Sequence, residues 1–222
     1  MGGRAPRPWW DLPLTLLVAL GVVLLVTTFV VKPFSIPSGS MENTLQVGDR
    51  VLVNRVVYHT RPIERGDVVV FDGQGTFTWV DGGNGGNPVV QAATWLGDSF
   101  GFNRGESTVF VKRVIGVGGD RVACCDAKGR ITVNGEPMAE TAYLYPGDAP
   151  SEVPFDVEVP EGMLWLMGDH RSASADSRAH LGDPGGGMVP ESTVVGRVSN
   201  VLWPVNRVGV VDIPQTTGSG HG

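Results

Sequence analysis

An uncharged apolar run from Leu12 to Val31 opens the chain, and beyond it hydrophobic positions come only in short bursts. The run is twenty residues long and rich in Leu and Val. At about 1.5 Å per residue it reaches roughly 30 Å, the thickness of a bilayer core. Arg4 and Arg7 precede it, Lys32 follows it, and Trp9 and Trp10 stand where an interfacial aromatic belt belongs. These flanks favour a cytoplasmic N-terminus. The pattern predicts one transmembrane helix over residues 12–31, stopped by Pro33. The alternative is a cleaved secretory signal, with small residues available at Ser38 and Ser40. The run is longer than the roughly 7–15 residues of such a signal's apolar region. Either reading exports the rest of the chain.

The later bursts read as strands. Arg50–Tyr58, Val68–Phe71, Val109–Val117, Met163–Met167 and Val194–Val201 are short and rich in β-branched or apolar residues. Val122-Ala123 and Ile131–Val133 flank Asp126–Gly129 as a hairpin, and Asn134-Gly135 makes a further tight turn. Turn signals recur about every eight to twelve residues, the spacing of an antiparallel sandwich or barrel. No long amphipathic helix follows the apolar run. The expected fold is mainly β, an antiparallel β-sheet domain behind a single N-terminal membrane helix. The expected division is a cytoplasmic tail over 1–11, the span over 12–31, an extracytoplasmic domain over 33–213 and a disordered tail over 214–222. A Gly-rich insertion at about 73–105 interrupts the domain. Its Trp79, Trp95, Phe100 and Phe102 either pack back on the domain or dip into the membrane surface.

Charge and cysteine content narrow the class. A formal net charge of -6 argues against a nucleic-acid surface. The two cysteines, Cys124 and Cys125, are adjacent. Across a trans peptide their Cα atoms lie about 3.8 Å apart, below the usual disulfide range of roughly 4.4–6.8 Å. A strained vicinal disulfide, two free thiols and an intermolecular bridge stay open. With no other Cys or His beside it, the pair is not expected to hold a metal.

Three segments carry candidate chemistry. Ser40 stands in Pro37-Ser-Gly-Ser-Met41, where Gly39 lets the backbone bend beside a hydroxyl. A serine needs a base to take its proton. Lys112 lies between Phe110 and Val114 on one face of a strand, where desolvation favours the neutral amine. Gly168 to Arg178 is dense in hydroxyls and alternating charge, directly after an apolar strand. Singly, these read as a linker, a snorkelling edge lysine and a solvated loop. Their order along one chain argues for more.

That order resembles bacterial type I signal peptidase, or leader peptidase, a membrane-anchored Ser/Lys endopeptidase. The resemblance rests on Phe34-Ser-Ile-Pro-Ser-Gly-Ser-Met41, Gly48-Asp49, Gly66-Asp67-Val-Val-Val-Phe71, Val111-Lys112-Arg113-Val-Ile-Gly116 with Gly119-Asp120, and Gly168-Asp169-x-Arg171 through Ser174-x-Asp176-Ser-Arg178. It runs to about Val211 and is weakest in the insertion. It implies Ser40 as nucleophile and Lys112 as general base. It implies Ser38 and the Ser40 backbone N–H as oxyanion donors and Ser174 as the hydroxyl that orients the lysine. Arg113, Asp169, Asp176 and Arg178 would brace the site. Phe34, Ile36, Pro37, Met41, Leu45 and Val111 would form shallow pockets for small side chains. The family often has Asn where His170 stands and Asp where Ser172 stands. Its eukaryotic microsomal relatives have His where this chain keeps Lys112, which favours the bacterial type.

The resemblance further implies a single-pass protein of the plasma membrane that cleaves secretory preproteins after small residues in an Ala-x-Ala-like pattern. Its partners would be signal peptides and membrane lipid, its state monomeric, and its mechanism free of metal and cofactor. Three other readings compete. A β-domain that only binds partners gives no reason for Ser40, Lys112 and Ser174 to occur together. A self-cleaving repressor carries a DNA-binding helical domain that this chain lacks. A sortase-like transpeptidase needs a nucleophilic cysteine apart from the adjacent pair.

Overall fold

A computed structural model describes residues 11–78 and 108–212, and the side chains of 23–29 fall outside that description. Helix α1 (Asp11–Phe29) comes first. The helix ends at Phe29, and Val31 already belongs to strand β1 (Val31–Ser35), so the expected apolar segment 12–31 divides between two elements. β-Branched Thr27, Thr28, Val30 and Val31 are poor helix formers, and the residue before Pro33 is biased to extended backbone. Pro33 therefore sits inside a strand instead of closing a helix. Among the described residues, no helix is long and apolar enough to cross a membrane.

The remaining strands follow in chain order: β2 (Arg50–Asn54), β3 (Val68–Asp72), β4 (Val109–Val117), β5 (Arg121–Cys124), β6 (Ile131–Val133) and β7 (Glu136–Pro137). After them come β8 (Phe155–Glu158), β9 (Met163–Met167), β10 (Val189–Pro190), β11 (Val194–Trp203) and β12 (Gly209–Val210). Eight of them form one sheet in the order β1-β2-β11-β3-β4-β9-β10, with β12 added to β11. The other four form a second sheet, β7-β6-β5-β8, inserted between β4 and β9. Neighbouring strands pair antiparallel throughout both sheets. The mainly β, antiparallel expectation is met, and the strands expected over 109–117 and 163–167 match β4 and β9. The strand expected over 50–58 is shorter. It ends at Asn54, whose side chain accepts the backbone N–H groups of Val56 and Val57 and starts a turn.

The continuous apolar runs have a packing cause. In β3, Val68 and Val70 join one core cluster, while Val69 and Phe71 join another. In β9, Leu164 and Leu166 face one cluster, and Trp165 and Met167 face a third. Both faces of these central strands are covered, so they lack the polar-out alternation of a half-exposed sheet. The register of β3 on β4 pairs Val69 with Lys112 and Val68 with Arg113. On the other side of β4, Arg113 pairs with Met167. That places Lys112 and Arg113 at the centre of the sheet, beside the end of β9 from which residues 168–178 depart.

The expected turns fall where sequence placed them. Asn134 and Gly135, with φ of 55° and 84°, connect β6 to β7 as a two-residue turn. Cys124 and Cys125 are joined to each other across a cis peptide bond, with Cα atoms 3.0 Å apart instead of the trans spacing assumed from sequence. Of the Gly-rich insertion, residues 73–78 form a turn against β3; Trp79, Trp95, Phe100 and Phe102 lie outside the described residues, as does the tail beyond Asp212.

Candidate active site

Ser40 sits on a single 3-10 turn, Gly39–Met41, in the connection between β1 and β2. Met41 and Leu45 plug that connection into the core with essentially no exposure, which fixes the turn against the sheet. Lys112 reaches the turn from the middle of β4. Its Nζ lies 2.6 Å from Ser40 Oγ, and both side chains are buried. A protonated amine donates across that gap; a neutral one accepts from the hydroxyl. Burial lowers the Lys112 pKa from 10.5 to about 8, and the Arg178 charge adds to the fall. Asp176 and Asp169 pull the other way. Desolvation therefore outweighs two nearby carboxylates, as the sequence position between Phe110 and Val114 suggested.

Ser38 is exposed at the mouth of this contact, its Oγ 3.5 Å from Ser40 Oγ. Ser174 is close by but not engaged. Its Oγ is buried without a hydrogen-bond partner of good geometry. Burial raises the neighbouring Asp176 carboxyl, but the Arg178 guanidinium and the Gly168 N–H hold it below its usual range, with Ser174 adding least. No hydrogen bond joins Ser174 to Lys112 in this state. The four charged residues singled out in the sequence form two buried units. Arg113 grips Asp169 through two bonds of 2.7 Å, donates to the Gly66 carbonyl and stacks over Tyr143. Arg178 grips Asp176 through two bonds of 2.8 Å and donates to the Arg171 carbonyl, while Asp176 also accepts the Gly168 N–H.

The expected pocket residues come together, with unequal access. Ile36, Met41 and Leu45 belong to the buried core cluster, and Phe34 and Val111 are partly buried against it. Pro37 is exposed. Met41 and Leu45 are thus closed floor beneath the site, leaving Phe34, Pro37 and Val111 as the more accessible members.

Sequence reasoning missed several supports. A Cβ on Gly168 would overlap Ser174 Oγ and the Ser40 carbonyl, so only glycine fits where β9 leaves the sheet. Thr44 donates to Asp169 at 2.5 Å and accepts from Arg113. Arg171 pairs with Glu140, both nearly fully buried. Arg207 pairs with buried Asp49 from a segment over 150 residues away. Gly-Asp after an apolar strand was a visible signal for the first; nothing local announces the others.

An antiparallel scaffold that buries a serine hydroxyl against a lysine amine beside its core has the makings of a hydrolase of the serine type. Comparison with known proteins makes the class specific. The family model of signal peptidase, peptidase S26, matches residues 9–203. The chain is 37% identical to a probable signal peptidase I of Mycobacterium leprae (strain TN) over 91% of its length and 78% of the relative's. It is 39% identical to a signal peptidase I of Mycobacterium tuberculosis (strain CDC 1551 / Oshkosh) over 88% of its length and 73% of the relative's. A solved signal peptidase I from Enterococcus faecalis V583 overlaps 63% of this chain and 98% of its own, with 20% identity and a TM-score of 0.39. The chain belongs to the signal peptidase family, peptidase S26, and is a peptidase of the bacterial type I.

Proposed function

We propose that this peptidase removes N-terminal signal peptides from exported preproteins through an acyl-enzyme on Ser40, with Lys112 as general base. The observation that carries the mechanism is the 2.6 Å contact between Lys112 Nζ and Ser40 Oγ, held in a buried setting that lowers the amine's pKa to about 8. Neutral Lys112 takes the Ser40 proton as Oγ attacks the scissile carbonyl. The negative charge that develops on the carbonyl oxygen is met by the Ser40 backbone N–H and the Ser38 hydroxyl. Each such donor is typically worth about 2.7–4 kcal/mol. The protonated amine then passes its proton to the leaving nitrogen, and water, activated by the same lysine, hydrolyses the ester. The accessible apolar members Phe34, Pro37 and Val111 suit small side chains near the scissile bond, consistent with an Ala-x-Ala-like site. Asp169 with Arg113 and Asp176 with Arg178 hold the segments that frame the dyad.

The same reading makes α1 a membrane anchor. Among its described side chains, Leu12 is 72% and Leu17 69% exposed. An apolar surface of that kind calls for lipid. The domain over 33–213 would then stand outside the plasma membrane with the N-terminus in the cytoplasm.

The deciding experiment is cleavage of a secretory preprotein in detergent or lipid. Wild-type chain should cut once, after an Ala-x-Ala-like segment. Ser40→Ala should abolish the cut while leaving the fold intact. Normal cleavage by Ser40→Ala would refute the assignment.

A further inference from the structure

His170 lies directly across the Ser40 turn and touches it twice. Its backbone N–H donates to the Ser40 carbonyl at 3.1 Å. Its ring Nδ1 lies 3.2 Å from the Gly39 carbonyl and 3.4 Å from the Glu42 carboxylate. Both neighbours of Nδ1 are acceptors, so this nitrogen must carry a hydrogen. The ring itself is held flat against Tyr145, with centroids 3.8 Å apart and planes 11° from parallel. Glu42 folds back over the turn, since a Cβ on Gly39 would stand 3.0 Å from its carboxyl carbon.

These contacts act on particular peptide units. The Gly39 carbonyl and the Ser40 N–H belong to one planar group, pointing in opposite directions. Pinning the oxygen aims the N–H. The Ser40 carbonyl belongs to the next planar group, and it is pinned by the same residue. Ser40 Cα therefore stands between two restrained planes, which fixes both of its backbone torsions. We infer that His170, supported by Tyr145 and Glu42, is a positioning residue that aims the Ser40 N–H at the oxyanion and holds Ser40 Oγ in line with Lys112. The inference rests on the Ser40–Lys112 reading above. It also separates His170 from the role of base: its Nδ1 is turned to Gly39 and Glu42, while Lys112 holds the hydroxyl.

A device that aims an oxyanion donor acts on the transition state far more than on bound substrate. The test is steady-state cleavage of a preprotein by the full chain at about pH 9, above the Lys112 ionisation, so that proton supply does not mask placement. His170→Phe keeps a ring for Tyr145 and the backbone donor but removes Nδ1–H. Its kcat should fall about tenfold with KM changed less than about twofold. His170→Asn restores a side-chain N–H at the same position and should recover most of the loss. Wild-type kcat in His170→Phe, or no recovery in His170→Asn, overturns the inference. Nitrogen-15 spectra of the native protein give a readout independent of turnover. A hydrogen on His170 Nδ1 is expected, and a ring protonated only on Nε2 overturns the inference. Ser40→Ala, run alongside, keeps the two levels apart: inactive Ser40→Ala with unimpaired His170→Phe sinks only the positioning role, whereas active Ser40→Ala sinks the dyad.

Discussion

Lys112 sets the pH dependence of the proposed reaction. At an ordinary lysine pKa only a few amines in about ten thousand are neutral at pH 7. At about 8 the neutral share near neutrality becomes roughly one in ten. Cleavage should therefore rise with pH through about 8 and level off above it, and Lys112→Arg should be inactive at every pH because guanidinium stays protonated. A kcat/KM profile of the wild type and the variant checks both. The same shift has a sign in stability. Between about 8 and 10.5 the unfolded chain binds the proton that the folded chain has released, so this group's contribution to stability grows as pH rises across that window. Gly168 is the second residue-scale test. A methyl there must displace Ser174 or the Ser40 carbonyl. Gly168→Ala should lower kcat/KM by more than about tenfold and cost about 1–3 kcal/mol of stability, read by a denaturation midpoint.

Elements place these residues by a mixture of local and distant causes. The β6–β7 turn is local: Asn134 and Gly135 adopt positive φ because a two-residue connection between twisted strands requires it. Gly135→Val should destabilise the domain by about 1–2 kcal/mol while leaving kcat unchanged, since this hairpin lies in the second sheet, away from Ser40. A thermal melt together with an activity assay separates the two effects. The end of α1 was set by a competition that the apolar pattern does not display. Val31 is as hydrophobic as the helix before it, yet it pairs with Asn54 across β1 and β2. Strand pairing, not the loss of apolar character, ends the helix.

For the whole molecule, sheet order is what assembles the site. β3, β4 and β9 are neighbours, so the β1–β2 connection, the middle of β4 and the segment after β9 converge although they are over 50 residues apart in the chain. α1 precedes that body and packs against β1. A chain lacking residues 1–29 should keep its β-sheet circular dichroism and cleave preprotein in detergent, but should lose flotation with lipid vesicles. Retained flotation would show that another surface carries the membrane contact, and collapse of the circular dichroism would show that α1 is needed for the fold.

Sequence by itself determined the parts with a periodic or positional signature. The apolar opening run, the strand bursts at 109–117 and 163–167, the Asn134-Gly135 turn and the order of Ser40, Lys112 and Gly168–Arg178 were all legible, because backbone periodicity and turn chemistry act over a few residues. The depressed Lys112 ionisation was legible in direction from Phe110 and Val114. Only the tertiary structure decided the rest. Arg113 against Asp169, Arg171 against Glu140 and Arg207 against Asp49 join charges from separate segments. Their choice of partner depends on which strands become neighbours. Ser174 was assigned to Lys112 by resemblance, yet it stands unbonded beside Gly168. His170 was set aside as a departure from the family, yet it grips both peptides around Ser40. Such contacts carry no local pattern, because they arise where a loop after one strand meets a turn before another, and sequence distance says nothing about that meeting.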